Sequence, residues 1–141
     1  MKKVAVGTVF LLLLDRISKW YLLSHPNLYL GNFVRLKLFY NKGFYFFSSG
    51  NYINPIILLA GGIVLFFLIL FLIKNRQNSL LSFSILLMIL GGVSNLFDRI
   101  YYGFVIDFIW LKFLPISIFN LADVLIFLGI ICLLFNLKKF K

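Results

Sequence analysis

Leu80–Phe97 reads LLSFSILLMILGGVSNLF, eighteen residues without a charge, and Asp98-Arg99 follows at once. As a helix rising 1.5 Å per residue, such a run crosses most of a bilayer's hydrocarbon core of about 30 Å. Its end, Asn95-Leu96-Phe97-Asp98, is echoed at Asn120-Leu121-Ala122-Asp123. In both, an Asn precedes an Asp by three positions, which on a helix stacks the two side chains on one face, so that each Asn can orient its carboxylate.

Outward from this stretch the same grammar repeats. Ile56–Ile73 is another uncharged run of eighteen residues, with Pro55 suited to a first helical turn. Lys74-Asn75-Arg76-Gln77-Asn78 is a short polar turn between the two runs, and Asn120–Leu137 is a further apolar run closed by Lys138-Lys139-Phe140-Lys141. The N-terminus opens Met1-Lys2-Lys3 and continues uncharged from Val4 to Leu14, but Asp15-Arg16-Ile17-Ser18-Lys19 follows in place of the small residues of a cleavage site, which predicts a retained helix. The chain divides into spans at about 4–24, 53–73, 79–97 and 119–137, an outer hairpin at 25–52 and an outer segment at 98–118. The expected fold is all-α membrane protein with a small β element: four transmembrane helices and an extracytoplasmic amphipathic hairpin, in a single integral domain.

Composition agrees. Hydrophobic residues make up 62% of the 141 positions and charged ones 13%, and the mean hydropathy of +1.03 lies far outside the soluble range. The net charge of +10 sits in small clusters between apolar runs, with no basic stripe or reader motif for nucleic acid, so anionic lipid headgroups are the expected counter-charge. The single cysteine, Cys132, excludes an internal disulfide and a Cys-rich metal site. His25 stands alone, without partners for a metal.

Val34-Arg35-Leu36-Lys37-Leu38 alternates as a strand with one wet and one apolar face, Asn41-Lys42-Gly43 reads as a turn, and Phe44-Tyr45-Phe46-Phe47 as a second strand of a hairpin resting on the bilayer surface. The segment from Asp98 to Ile118 reads as irregular or strand-like, and Asp107 interrupts its apolar run with Arg99 as a candidate partner. Four spans place both termini on one side. Basic residues are seven on each side when Arg16, Lys19 and Arg99 are counted as outer, but those around 2–3, 74–76 and 138–141 crowd into very short segments, which are therefore cytoplasmic.

This topology brings Asp98 and Asp123 to similar depth at the outer boundary, with Asp15 in the same half. Only four acidic residues exist, Asp15, Asp98, Asp107 and Asp123. An intramembrane carboxylate is costly and marks function by default, and Asp15 with Lys19 has the spacing of an ion pair. Two close carboxylates in a partly dry site share one proton, so that one activates water and the other polarises a carbonyl. Asn120 with Asp123 resembles a helix N-cap with an acidic first turn, whereas Asp98 at a helix C-terminus opposes the macrodipole; this split favours Asp123 as the ionised partner and Asp98 as the protonated one. Ser18-Lys19 are neighbours that diverge on a helix, no Ser-His-Asp set is present, and no glycine-rich phosphate loop appears. No cofactor or metal is implied. The residues alone leave open a proton or cation relay in a small transporter or channel, and a non-catalytic lipid- or signal-peptide-binding protein.

Gly91-Gly92 through Asn95, Asp98-Arg99, Gly103, Val105 and Asp107-Phe108, followed by Phe119-Asn120-Leu121-Ala122-Asp123, resembles the two C-terminal motifs of the lipoprotein signal peptidases, signal peptidase type II. The resemblance extends over nearly the whole chain. It implies a four-helix membrane aspartyl endopeptidase that removes signal peptides from diacylglyceryl-modified prolipoproteins, cutting on the N-terminal side of the lipidated cysteine. It further implies a monomer in the bacterial cytoplasmic membrane, its active site near the outer face. By this resemblance Asp98 and Asp123 form the catalytic pair, and Asn95, Asn120 and Ala122 shape the site. Asp15 and Lys19 belong to a first motif, Asn41 and Gly43 to a second, and Arg99 stands beside the site. The first motif departs from the family's usual Asp-Gln-x-Thr-Lys, because Arg16 and Ser18 replace Gln and Thr. In the second, Phe44 and Tyr45 occupy positions that favour small residues, and Phe47 stands for Ser.

Overall fold

The structure, a computed structural model, describes residues 2–29, 33–43, 55–113 and 118–138. Its elements in chain order are helix α1 (Lys2–Ser24), strands β1 (Asn27–Tyr29) and β2 (Val34–Asn41), helices α2 (Pro55–Lys74) and α3 (Ser79–Tyr102), strand β3 (Val105–Leu111) and helix α4 (Leu121–Lys138).

Helix α3 is the axis of the molecule. Asn78 caps it, its side chain accepting the Leu81 N–H at 3.0 Å. Gly103 stops it in the left-handed region at φ 83°, with its N–H donated to the Arg99 carbonyl. The stop lies five residues beyond the end expected at 97, since charge alone does not break a helix. Asp98 and Arg99 therefore sit inside the last turns, not past them. Leu81, Ile85 and Ile89 form the core with Leu65, Leu68 and Leu72 of α2 and Leu133 of α4.

Small residues let α3 and α4 approach closely, the usual device where lipid removes any hydrophobic gain from helix pairing. A Cβ at Gly91 would collide with the Ala122 carbonyl and stand 2.8 Å from Ile126 Cγ1. One at Gly129 would stand 2.6 Å from Met88 Cγ and 2.7 Å from the Ser84 carbonyl. Helix α2 has no buried residue, and its principal neighbour is α3. Large apolar side chains such as Phe10, Ile17, Leu59, Phe67, Phe127 and Phe135 point outward, as they would into lipid. By length and composition α2 and α3 suffice to cross a membrane; α4 is apolar over Leu121–Asn136, and α1 carries Asp15, Arg16 and Lys19.

The sheet is antiparallel in the order β1-β2-β3. Among the described residues β2 pairs with β1 and β3, Arg35 facing Trp110 and Asn41 facing Val105, while the expected strand partner at 44–47 lies outside those residues. The segment expected to be irregular or strand-like contains a defined strand over Val105–Leu111, and Val105, Ile106, Asp107 and Phe108 are all buried. Beyond it, Phe119 bridges Ile109 through bonds of 2.7 and 3.1 Å. That bridge sets the start of α4 against β3.

Candidate active site

The start of α4 builds the centre of the site. Asn120 Oδ1 accepts the Asp123 N–H at 2.9 Å and Asp123 Oδ2 accepts the Asn120 N–H at 3.1 Å, a reciprocal cap that satisfies two orphan donors and fixes the Asp123 carboxylate. The Ala122 N–H, a third orphan, is accepted by Asp15 Oδ1 at 3.0 Å, tying α1 to α4. From α3, Asn95 Nδ2 donates to Asp123 Oδ1 at 2.7 Å. Both oxygens of Asp123 are thereby held.

Strand β3 contributes Asp107. Its Oδ1 accepts Asn120 Nδ2 at 2.7 Å and its Oδ2 accepts Asn41 Nδ2 at 2.8 Å. Asn41 Oδ1 in turn accepts the Gly43 N–H at 2.9 Å, closing a turn that Gly43 enters at φ 86°. Asn120 Nδ2 also reaches Asn95 Oδ1 at 3.0 Å. Asp107 and Asp123 are thus joined through the amides of Asn120 and Asn95. Burial pushes the Asp107 carboxyl up to about 6, and the nearby Asp123 charge adds to the rise against the lowering effect of the Asn41 and Asn120 bonds.

Asp98 is committed elsewhere. Its Oδ2 pairs with Lys19 Nζ at 2.8 Å and accepts the Ile106 N–H at 3.2 Å, and its Oδ1 pairs with Arg16 at 2.7 Å. Asp15 Oδ2 takes the same two cations, Lys19 at 3.0 Å and Arg16 at 3.2 Å, together with a short bond from the Ser94 hydroxyl. Lys19 is 1% exposed, and Asp15 and Asp98 are fully buried. Lys19 Nζ also donates to Asn95 Oδ1 at 3.2 Å, which joins this ion-pair cluster to the amides around Asp123. Arg99 donates to the Asn95 carbonyl at 3.3 Å, while its buried Nε lacks a protein partner.

Asp15, Lys19, Asn95, Asn120, Ala122 and Asp123, expected from sequence, thus meet at one end of the helices, with Asn41, Gly43 and Arg99 at the edge. Sequence reasoning gave Asp107 no part in the chemistry, although a lone acid in the apolar run Val105-Ile106-Asp107-Phe108 of a buried strand was the available signal. It also gave none to Arg16 or Ser94. Among the described residues no group of three or more His, Cys, Asp or Glu is placed to hold a metal ion.

A cavity of about 860 Å³ opens beside these groups, with Asn41, Asn95 and Arg99 at its polar side and Ala60, Val64, Leu68 and Met88 along its apolar walls between α2 and α3. The Asn41 and Asn95 amides in its wall bond Asp107 and Asp123, so an apolar chain in this groove, with the Arg99 guanidinium beside it, would lie one residue away from two carboxylates able to activate water against a carbonyl.

The family described as signal peptidase (SPase) II matches residues 7–139 of this chain. A lipoprotein signal peptidase of Streptococcus agalactiae serotype Ia is 32% identical over 149 residues, covering 99% of this chain and 95% of that protein. One from Buchnera aphidicola is 36% identical over 137 residues, covering 89% and 86%. A solved structure described as a bacterial membrane enzyme superposes with a TM-score of 0.88 at 24% identity, covering all of this chain and 96% of the other, and supports the same fold.

Proposed function

Because the chain belongs to the signal peptidase II family and is therefore a protease of membranes, we propose that it removes signal peptides from diacylglyceryl-modified prolipoproteins, with Asp107 and Asp123 as the catalytic pair. The cut falls on the N-terminal side of the lipidated cysteine. All four helices span the bacterial cytoplasmic membrane, both termini are cytoplasmic, and the site lies near the outer face. The protein acts as a monomer, with membrane lipids around it.

The observation that carries the assignment is the division of the four acids. Asp107 is held by the Asn120 amide and Asp123 by the Asn95 amide, and the two amides bond each other, whereas Asp98, the partner expected from sequence, is held by Lys19 and Arg16. Both Asp98 oxygens are taken up by these cations, so neither is free to receive a proton from water or to carry one to a carbonyl. In the proposed reaction Asp123 takes a proton from water, and the oxygen bonds to the scissile carbonyl carbon. Protonated Asp107 donates to the carbonyl oxygen, which becomes the tetrahedral hydroxyl. On collapse a hydroxyl proton returns to Asp107 as the carbonyl re-forms, the C–N bond breaks, and the proton held by Asp123 leaves with the amine. Arg99, whose side chain lines the cavity, holds a substrate backbone carbonyl through its guanidinium, and the apolar groove takes the signal peptide.

Incubating the purified chain with a lipidated precursor tests this. Cleavage should be lost in Asp107→Asn and Asp123→Asn, by a factor of at least ~1,000, and fall but stay measurable in Asp98→Asn. Full activity in Asp107→Asn beside none in Asp98→Asn would return the role to Asp98.

A further inference from the structure

Arg16 stands where the resemblance favours an uncharged glutamine, and it is drawn into the interior. Its guanidinium bonds Asp98 at 2.7 Å and Asp15 at 3.2 Å, lies 5.3 Å from the centre of the Phe97 ring, and leaves 26% of the side chain exposed. Strand β2, paired with β3, carries Arg35 and Lys37 over the Trp110 ring and is followed by the exposed Lys42; the charged groups around the site itself are Asp15, Arg16 and Lys19 on α1, Asp98 and Arg99 on α3, Asp107 on β3 and Asp123 on α4. Helix α2 offers no ionisable residue before Lys74, at its far end.

These groups are four carboxylates and three cations. In a medium of low polarity a net charge is expensive, and neutrality is reached when the set binds a single proton. Arg16 and Lys19 together balance Asp15 and Asp98. Arg99 then balances one charge between Asp107 and Asp123, so the proton belongs to that pair.

We propose that Arg16 is a positioning residue that sets the proton count of the site: by balancing the Asp15–Asp98 cluster it leaves one proton, held between Asp107 and Asp123. The inference deepens the peptidase reading and rests on it. With glutamine at position 16 the cluster keeps a net negative charge, which disfavours ionisation of Asp107 and lets it hold its proton to higher pH. The burial that already pushes Asp107 up to about 6 makes it the group that responds.

The test is the pH dependence of kcat/KM for cleavage of a lipidated precursor by the full chain in vesicles, with Arg16→Gln and Arg16→Lys, alongside an infrared titration of protonated carboxyls. In Arg16→Gln the alkaline limb should move up by roughly one pH unit, and the carboxylic acid band should persist over the same interval. Arg16→Lys should keep the limb of the unmodified chain. An unmoved limb in Arg16→Gln, or an equal shift in Arg16→Lys, overturns the proposal, because either result assigns the residue a purely steric role. Should Arg16→Gln fail to fold, Asp98→Asn removes a negative charge from the same cluster and must move the limb down; an unmoved limb again overturns the proposal. Absence of cleavage by the unmodified chain would instead overturn the peptidase reading, and the infrared arm would still decide the proton count.

Discussion

Asn120 serves four groups with one side chain: it caps α4 and donates to Asp107, to Asn95 and to the Ile106 carbonyl. Asn120→Asp keeps the cap but turns a donor into a third charge beside the pair, so activity should fall at least ~100-fold at pH 7, while Asn120→Ala should also cost about 1 kcal/mol of stability through the lost cap, as read by thermal unfolding. Asp107 gives the pH dependence. With its carboxyl pushed up to about 6, kcat/KM should fall above an apparent value near 6, approaching tenfold per pH unit as the shared proton is lost. The linked effect on stability has a definite sign. The folded value lies above the ordinary 3.8, so the folded chain binds the extra proton between the two; this group's contribution is complete below about 4 and is lost as pH rises through 6. Asp107→Asn should flatten that part of a melting-temperature profile. The paired tetrapeptides were legible in sequence, and at Asn120 and Asp123 helical spacing joins the two residues named. At Asn95 it does not, because the amide reaches across to α4 and Asp98 meets α1 instead. Which helix a side chain faces is set by packing, and spacing within one helix carries no information about it.

Helix α4 is aimed by its contact with α3. A side chain at Gly91 would press on the Ala122 carbonyl, one residue before Asp123, so Gly91→Ala should lower kcat more than it lowers the melting temperature, a split that steady-state kinetics and thermal unfolding resolve together. Gly129→Ala lies farther along the same contact and should cost stability first. The helices were readable because each is built around a long apolar run, even where α1 carries Asp15, Arg16 and Lys19 and α3 continues past Asp98 and Arg99. Strand β2 was readable from its alternation, but its partners were not. A strand's pairing is settled by groups distant in sequence, so the segment from Asp98 to Ile118 could be read as irregular or strand-like without showing that β3 pairs with β2. The glycine at 103, in a conformation other residues adopt rarely, marks where α3 ends better than the charges before it.

At the scale of the molecule, the acids are gathered inward while Lys37, Lys42 and Lys112 are exposed, so the outside is cationic, as expected of a protein among anionic headgroups. The clustering of lysine and arginine between apolar runs was legible in the sequence. The cavity was not, since its walls come from separate elements and no local pattern encodes a gap between them. Filling it gives a test: Ala60→Trp should raise KM at least tenfold while leaving the melting temperature within a few degrees, because residue 60 faces the cavity and is otherwise exposed. Helix α2 buries none of its residues and leans on one neighbour. In the proposed topology its free flank faces the acyl phase, so a precursor diffusing in two dimensions would meet the groove side-on. The rate of encounter then scales with how densely precursors populate the leaflet, and bulk concentration hardly enters.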